Sequence, residues 1–293
     1  MADFPVLQVQ PAEVISDEAL GSKTKFWFRQ GDKRWLFKEA RDGTGEDWAE
    51  KIASEVAQLL GVSTAIVELA DYKGRRGCAS LSFAHREKGD VLIHGNEILA
   101  GLVLGYERDK RFRQSDHTLE NITSAIRKLF PRDELHQLVL TALAEYLVLD
   151  ALVGNTDRHH ENWAILLRAP DSILEVAPTF DHASSLGREL LDPRRLTLIQ
   201  SGRIEEYVRK GRGAIYLRTT DEHGENPLRL VEYGTRQFPE YFLPVLKQLQ
   251  RVSPPDFKLI LDHVPAARMS ATSKDFALGY MSYTYDALIK LIK

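Results

Sequence analysis

The alternation of apolar and polar positions separates a strand-rich beginning of the chain from a helix-rich remainder. Two aromatic-rich runs, KFWFR (25–29) and RWLFKEA (34–40), flank the turn QGDK, a pattern that predicts a β-hairpin. The runs TAIVELA (64–70) and CASLSF (78–83) flank DYKGRRG and predict a second hairpin. We therefore expect a small β-sheet within residues 1–85.

A helix is predicted between the two hairpins, over TGEDWAEKIASEVAQLLGV (44–62). Thr44 and Asp47 are spaced like a capping box, and Gly61 stands where the helix is expected to end. Apolar residues recur at helical spacing and define the face expected to pack inward: Trp48, Ile52, Val56 and Leu59. Glu55 lies beside this face, where a carboxylate is costly unless it is paired.

The remainder of the chain is predicted to be mostly helical, with RDELHQLVLTALAEYLVLDALV (132–153) as its strongest segment. Polar residues are few after Leu138, so this helix is expected to be buried on most sides. WAILL (163–167) and ILEVA (173–177) predict two short strands, and three stretches of the tail predict further helices: 229–238, 239–252 and 273–292. We expect an α+β fold of two packed lobes, an N-lobe over 1–85 and a C-lobe over 86–293.

Composition places the chain among soluble globular proteins and excludes several kinds of site. It is 43% apolar and 28% charged, and its 39 Lys and Arg are balanced by 42 Asp and Glu, so no direct nucleic-acid partner is expected. Cys78 is the only cysteine, which excludes an intramolecular disulfide and a Cys-rich metal centre. No signal peptide is evident and no run reaches the roughly 18 apolar residues of a membrane span, so we expect a cytoplasmic protein that does not contact membranes.

Polar residues are concentrated in the loop GNTDRHHEN (154–162), directly after the predicted buried helix. Asp157 and Asn162 are five residues apart, and Asp181 follows the predicted strand pair that begins at this loop. That hairpin is expected to return Asp181 toward Asn162. A carboxylate and an amide oxygen suit a hard cation such as Mg2+, and a second Asp nearby can orient or deprotonate an attacking hydroxyl.

Lys38 is the expected cation of the same site, because it is the charged residue in the middle of the apolar run WLFKEA. Glu55 is the simplest partner for it, although both side chains reaching solvent at an edge remains an alternative. Lys38, Glu55, Asp157, Asn162 and Asp181, in this order along a small strand-rich part and a helical part, are the components of a phosphoryl-transfer site.

GNTDRHHENW (154–163) and FDHASSLG (180–187) resemble the catalytic and metal-binding segments of HipA-like kinases, and the D-R-H-x-x-N element is similar to that of phosphatidylinositol kinases. The resemblance implies a two-lobed protein-kinase-like fold with ATP and Mg2+ as cofactors. Asp157 would be the catalytic Asp, Asn162 and Asp181 would hold Mg2+, and Lys38 would contact the ATP phosphates. The segment 78–90 would include the hinge beside adenine, with Ser82 and Phe83.

Two further elements have open alternatives. The resemblance implies that His159 faces the phosphates or braces the loop while His160 points away; a His-based metal hydrolase is the alternative, but no H-E-x-x-H spacing supports it. Gly21, Ser22 and Lys23 lie where a phosphate-covering loop is expected, and a solvated turn is the alternative. By resemblance, phosphorylation of Ser22 would silence the kinase.

The predicted function is ATP-dependent transfer of a phosphoryl group to a Ser or Thr hydroxyl of a protein substrate. The chain fits the compact members of the family better than the longer HipA toxins, which leaves open a toxin-like regulator with an antitoxin-like partner protein. A lipid kinase, an adenylyl-transferring relative and an ATP-binding pseudokinase are the alternatives.

Two segments have undecided roles. The basic run ERDKRFRQ (107–114) is either solvated surface or a contact for an acidic partner or RNA, and LIHGNEIL (92–99) is either a turn held by Asn96 or a substrate contact.

Overall fold

The structure is a computed structural model that describes residues 2–17 and 24–292. Its N-terminal part is a six-stranded sheet with the strand order β1-β5-β6-β4-β3-β2. The strands are β1 (Val6–Val9), β2 (Val14–Asp17), β3 (Lys25–Gln30), β4 (Lys33–Glu39), β5 (Val67–Tyr72) and β6 (Arg75–Leu81). The antiparallel pairs β3–β4 and β5–β6 are the two predicted hairpins, which are thereby confirmed.

The aromatic residues of the first hairpin explain why this sheet forms. Side chains of a strand alternate between its two faces, and the alternate residues Phe26 and Phe28 of β3 and Trp35 and Phe37 of β4 are buried. The rings of Phe26 and Phe37 stack with their centroids 4.9 Å apart. These contacts pair β3 with β4. On its other edge β4 pairs with β6, in the register that places Lys38 opposite Cys78.

The predicted helix between the hairpins is confirmed as α1 (Glu46–Leu59), but two details of the prediction were wrong. Gly45 is the N-cap and provides no side-chain cap, while the Thr44 hydroxyl donates to the Arg41 carbonyl oxygen at 2.8 Å. Leu59 is largely exposed rather than packed inward. Gly61 does follow the helix in the left-handed conformation, with φ 72°, as expected for a stop.

A second sheet has the order β7-β8-β9, formed by β7 (Val91–His94), β8 (Ala164–Arg168) and β9 (Ile173–Val176). The predicted hairpin of β8 and β9 is confirmed. The interpretation of 92–99 as a turn held by Asn96 was wrong, because β7 runs directly into helix α2 (Gly95–Leu102). Gly95 is required at this junction, since a Cβ there would lie 2.2 Å from the Trp163 ring.

The remainder of the chain is helical, as predicted. Its helices are α3 (Leu119–Leu129), α4 (Asp133–Val153), α5 (Asp192–Gln200), α6 (Ile204–Lys210), α7 (Pro227–Gln237), α8 (Pro239–Leu249), α9 (Pro254–Asp262) and α10 (Ala271–Ile289). By length and composition α4 is apolar enough to cross a membrane, but 67% of its most apolar window is buried inside the protein. This burial is typical of the core helix of a globular protein.

The fold is α+β, with a strand-rich N-terminal part and a helical C-terminal part. Trp48, Ile52 and Val56 of α1 belong to the same hydrophobic core as the central residues of α4 and α8. The two parts therefore pack together, and α1 joins them. The lobe boundary after residue 85 stays a prediction.

Candidate active site

Lys38 lies near the end of β4 with its ammonium group between two carboxylates. Its Nζ is 2.8 Å from Oδ1 of Asp181 and 3.7 Å from Oε1 of Glu50. The Lys38 and Glu50 side chains are almost completely buried, whereas 30% of the Asp181 side chain is exposed. The strand, α1 and the segment after β9 thus meet at one cluster, of which Asp181 is the exposed member.

The predicted pairing of Lys38 with Glu55 was wrong, because Glu55 accepts a hydrogen bond from Lys51 at 2.7 Å on the same helix. Residues of a helix are separated by about 100°, so Glu50 and Glu55 point in directions about 140° apart. Glu50 shares its side of α1 with small buried residues, which let the helix approach the sheet closely: Ala53, Ser54 and Ala57. The small residues along α1, rather than its large apolar residues, would have predicted the face of the helix that carries Glu50.

In this cluster, burial and the neighbouring charges shift the pKa values of the side chains in opposite directions. Burial alone would lower the pKa of Lys38, but the carboxylates of Asp181 and Glu50 raise it above its usual value, so the ammonium stays charged. Burial would raise the pKa of Asp181, but Lys38 and Lys25 hold that pKa well below its usual range. Burial raises the pKa of Glu50, and the Lys38 charge opposes the rise.

Replacing Glu50 by Gln is expected to weaken the positioning of Lys38, whereas Glu55→Gln is expected to leave it unchanged. Lys38 and Glu50 form a buried ion pair at 3.7 Å, so Glu50→Gln also lowers the thermal stability. The loss is smaller than the about 3–5 kcal/mol that follows when a buried ion loses its only partner, because Lys38 keeps its hydrogen bond to Asp181. Binding of a fluorescent ATP analogue and the melting temperature measure both effects. A larger effect of Glu55→Gln on nucleotide binding would restore Glu55 as the functional partner.

The loop after α4 holds Asp157 and Asn162 in a fixed arrangement. Gly154 caps α4 in the left-handed conformation, with φ 71°. The side chain of Asn162 is buried and donates from Nδ2 to the backbone oxygen of Asp157 at 2.7 Å. The backbone N–H of Asp157 donates to Oδ1 of Asn155 at 3.1 Å. Asp157 itself is exposed at the surface.

Arg158 connects this loop to α4 and to the segment that precedes Asp181. Its guanidinium is buried and forms a bidentate pair with Asp150 of α4, at 2.7 and 2.8 Å. It also donates to the backbone oxygens of Asn162 and Phe180 and to the Thr179 hydroxyl. One side chain thereby fixes the position of the Asp157 loop relative to Asp181, a role that the sequence did not reveal.

Asp181 has a left-handed backbone with φ 63°, which is uncommon for a residue other than Gly but tolerated by Asp. The neighbouring His182 is buried, and its Nε2 lies 2.9 Å from the Thr179 hydroxyl. Burial holds the pKa of His182 well below its usual value, so this ring is neutral. Neighbouring contacts therefore hold the backbone that turns the Asp181 carboxylate toward Lys38.

The two adjacent histidines have different surroundings. Nδ1 of His159 accepts from the backbone N–H of Glu161 at 3.2 Å, which fits bracing of the loop. His160 is buried, with Nδ1 2.8 Å from the Tyr106 hydroxyl, and burial lowers its pKa to about 4. In residues 2–17 and 24–292 no group of three His, Cys, Asp or Glu side chains is placed to hold a metal, so the hydrolase alternative has no support there.

Comparison with known proteins gives the family. Residues 17–229 match the model of the HipA-like C-terminal domain. The chain belongs to this HipA-like family. A comparison with curated protein sequences found no match.

Solved structures agree with the fold of this HipA-like chain. It is similar to the Helicobacter pylori proinflammatory kinase CtkA, with a TM-score of 0.83 and 17% identity over 98% of this chain and 99% of that one. It is also similar to Shewanella oneidensis HipA, solved with HipB and operator DNA, with a TM-score of 0.62 and 12% identity over 94% of this chain and 65% of that one. At these identities the likeness establishes the kinase-like fold.

The residues predicted to contact ATP in the HipA-like chain divide into two groups. Ser82 and Phe83 directly follow β6, and the Phe83 ring lies 5.8 Å from the ring of Phe180, the residue before Asp181. The predicted hinge is therefore close to the Lys38 cluster. Gly21, Ser22 and Lys23 lie outside the described residues. Lys25, at the start of β3, is close enough for its charge to lower the pKa of Asp181.

The donor atoms suit the cation that a kinase requires. Asp181 offers a partly exposed carboxylate. Asn162 makes its hydrogen bond to Asp157 through Nδ2, so its amide oxygen is the atom that can act as a metal ligand. Mg2+ takes oxygen ligands and retains water and phosphate oxygens, so it does not need a cluster of three acidic or imidazole side chains. The residue types of this site therefore fit Mg2+.

Proposed function

We propose that this protein is an ATP-dependent kinase that transfers the γ-phosphoryl group to a Ser or Thr hydroxyl of a protein substrate. The observation that carries the proposal is the cluster of Lys38, Glu50 and Asp181, which brings a buried cation and a partly exposed carboxylate together. Arg158 ties the Asp157 loop to the same place. Family membership and the fold shared with CtkA are consistent with this activity.

In the proposed mechanism each residue acts through charge or position. Lys38 neutralises phosphate oxygens, and Glu50 holds its ammonium in place. Asp181 and the Asn162 amide oxygen would hold Mg2+, which screens the charge of the phosphates. Asp157 lies at the surface and accepts or orients the proton of the attacking hydroxyl. His159 braces the backbone between Asp157 and Asn162.

The remaining parts of the proposal concern nucleotide contacts, partner and location. Ser82 and Phe83 would lie beside adenine, and Gly21, Ser22 and Lys23 would cover the phosphates from the N-lobe (1–85), with catalysis in the C-lobe (86–293). The structure of HipA with HipB and operator DNA supports the proposal that an antitoxin-like protein partner exists for this chain. We propose a cytoplasmic location, where both ATP and protein substrates are available.

Incubation with γ-labelled ATP and Mg2+, followed by mass spectrometry of the protein and of a lysate, tests the function. Phosphate on protein Ser or Thr supports the proposal. Label found only in lipid, transfer of the adenylyl group, or nucleotide binding without any transfer contradicts it. Inactivation by Lys38→Met connects the activity to this site, because Met keeps most of the length of the unbranched side chain and removes its charge.

The two proposed Mg2+ ligands are expected to differ in strength. Asp181→Ala removes a carboxylate, whereas Asn162→Ala removes a neutral oxygen, so the first variant should weaken Mg2+-dependent ATP binding more than the second. Titration of ATP affinity against Mg2+ concentration measures the difference. If both variants bind Mg-ATP as tightly as the wild type, the cation is held by other residues.

A further inference from the structure

The junction of β7 and α2 is hydrogen-bonded to the segment 154–163, which contains the proposed base and one proposed Mg2+ ligand. Nδ1 of His94 donates to the Glu161 carbonyl oxygen at 2.8 Å. The next two backbone N–H groups donate to carbonyl oxygens of the same segment, both at 2.9 Å: Gly95 to Trp163, and Asn96 to His160. His94 is thus held beside this segment, although the proposed mechanism gives its side chain no role.

The hydrogen bond to Glu161 determines which ring nitrogen of His94 is available to a ligand. A carbonyl oxygen only accepts, so Nδ1 carries a proton, and in the neutral ring Nε2 has a free lone pair. In the part of the chain that the structure describes, no residue is hydrogen-bonded to Nε2. The side chain is half-buried. Nε2 is therefore an oriented acceptor at a partly exposed position, for which a ligand can supply the donor.

Aromatic rings connect His94 to both ends of the proposed nucleotide site. The His94 ring meets the Phe180 ring edge-on, with centroids 6.2 Å apart, and Phe180 directly precedes Asp181. The Phe180 ring also lies 5.8 Å from the ring of Phe83. Phe83 belongs to the proposed hinge beside adenine, and Asp181 to the proposed Mg2+ site beside the phosphates. The sugar of a nucleotide joins its base to its phosphates, and His94 is a polar side chain beside this connection.

We propose that Nε2 of His94 accepts a hydrogen bond from a ribose hydroxyl of ATP and thereby selects ribonucleotides over deoxyribonucleotides. This inference rests on the proposed kinase function and adds to it the selection of the sugar. The contact with Glu161 orients the imidazole before the nucleotide binds, so little side-chain entropy is lost on binding. A nucleotide that lacks the hydroxyl leaves this acceptor without a donor and binds more weakly.

Two substitutions separate contact with the sugar from bracing of the loop. The amide nitrogen of Asn is bonded to Cγ, as Nδ1 is in His, so His94→Asn keeps a donor for the Glu161 carbonyl oxygen and loses the acceptor. The amide of Gln lies one bond farther out, as Nε2 does, so His94→Gln returns an acceptor oxygen to that position. The matched control is His136→Asn, because Nδ1 of His136 also contacts a backbone oxygen, that of Phe130 at 3.3 Å.

The test measures the affinity of ATP, 2′-deoxy-ATP and 3′-deoxy-ATP by calorimetry in the presence of Mg2+. We expect the wild type to bind at least one deoxynucleotide about three- to tenfold more weakly than ATP, as for the loss of one hydrogen bond. His94→Asn should bind the three nucleotides equally. His94→Gln should regain part of the preference for ATP, and His136→Asn should keep all of it.

Equal affinity of the wild type for the three nucleotides would overturn the inference. A preference for ATP that persists in His94→Asn would also overturn it, because another residue then contacts the sugar. If His94→Asn weakens all three nucleotides by the same factor and the preference remains, His94 only braces the loop, and the inference is wrong.

Calorimetry detects binding without transfer, so the role of His94 and the kinase function are tested separately. A ribose preference that His94→Asn removes, in a protein that transfers no phosphate, would support the role of His94 and contradict the kinase function. Phosphoryl transfer by a protein without ribose preference would contradict the role of His94 and support the kinase function. Absence of any nucleotide binding would contradict both.

Discussion

Asp157→Asn is expected to lower the rate of phosphoryl transfer about 10²- to 10⁴-fold while ATP binding stays close to that of the wild type. Asn has nearly the same shape but no negative charge, so it cannot accept the hydroxyl proton, and the loss appears in the transition state. The exposed position of Asp157 means that the substitution does not disturb the core. Single-turnover transfer and equilibrium ATP binding, measured on the same sample, separate the two effects.

Asp275→Asn is the matched control for this experiment, since it makes the same change at an exposed position of α10. It should leave both transfer and binding unchanged. If Asp157→Asn keeps most of the transfer rate, Asp157 does not act as the base or the orienting group. If it abolishes ATP binding instead, its role is in holding the nucleotide.

Arg158→Met is expected to give the largest loss of stability, about 3–5 kcal/mol in the free energy of unfolding. Met fills much of the same volume but leaves the buried carboxylate of Asp150 without its cation, and three further acceptors lose a donor. Urea unfolding followed by circular dichroism measures the loss. Transfer should also fall at temperatures where the variant is folded, because the guanidinium positions the loop.

A double-mutant cycle measures how much the ion pair of Arg158 with Asp150 contributes to stability, apart from the other contacts of Arg158. The variant Arg158→Met with Asp150→Asn should lose less stability than the sum of the two single variants, because removing both charges leaves no unpaired ion. Arg209→Met, at an exposed arginine of α6, is the control and should change stability by less than about 0.5 kcal/mol. If the stability losses of the two single variants add up in the double variant, Arg158 and Asp150 do not stabilise the protein through their ion pair.

The sequence predicted the parts of this molecule that depend on local patterns. The aromatic alternation of β3 and β4 and the long apolar run of α4 were sufficient to predict those elements. The loop containing Asp157 and Asn162, and the return of the chain to Asp181, indicated a site that the hydrogen bonds of Arg158 hold together. The roles assigned to these residues stay predictions until activity is measured.

The errors arose where long-range packing decides the outcome. Glu50 pairs with Lys38 because small residues bring that side of α1 against the sheet, and the spacing of large apolar residues does not carry this information. β7 forms only because β8, about 70 residues later in the chain, supplies its hydrogen-bonding partner. Glu161 accepts hydrogen bonds from Arg111, which is 50 residues away, and no local pattern in the sequence predicts this pair.

The reactivity of the Cys78 thiol can be used to follow local unfolding of the protein. It is the only cysteine of the chain, it is buried, and it pairs across the sheet with Lys38. Burial raises the pKa of its thiol, so the reactive thiolate is scarce in the native state and reagents cannot reach it. Alkylation should therefore proceed only when β4 and β6 separate, and its rate would measure the opening of the strand that carries Lys38.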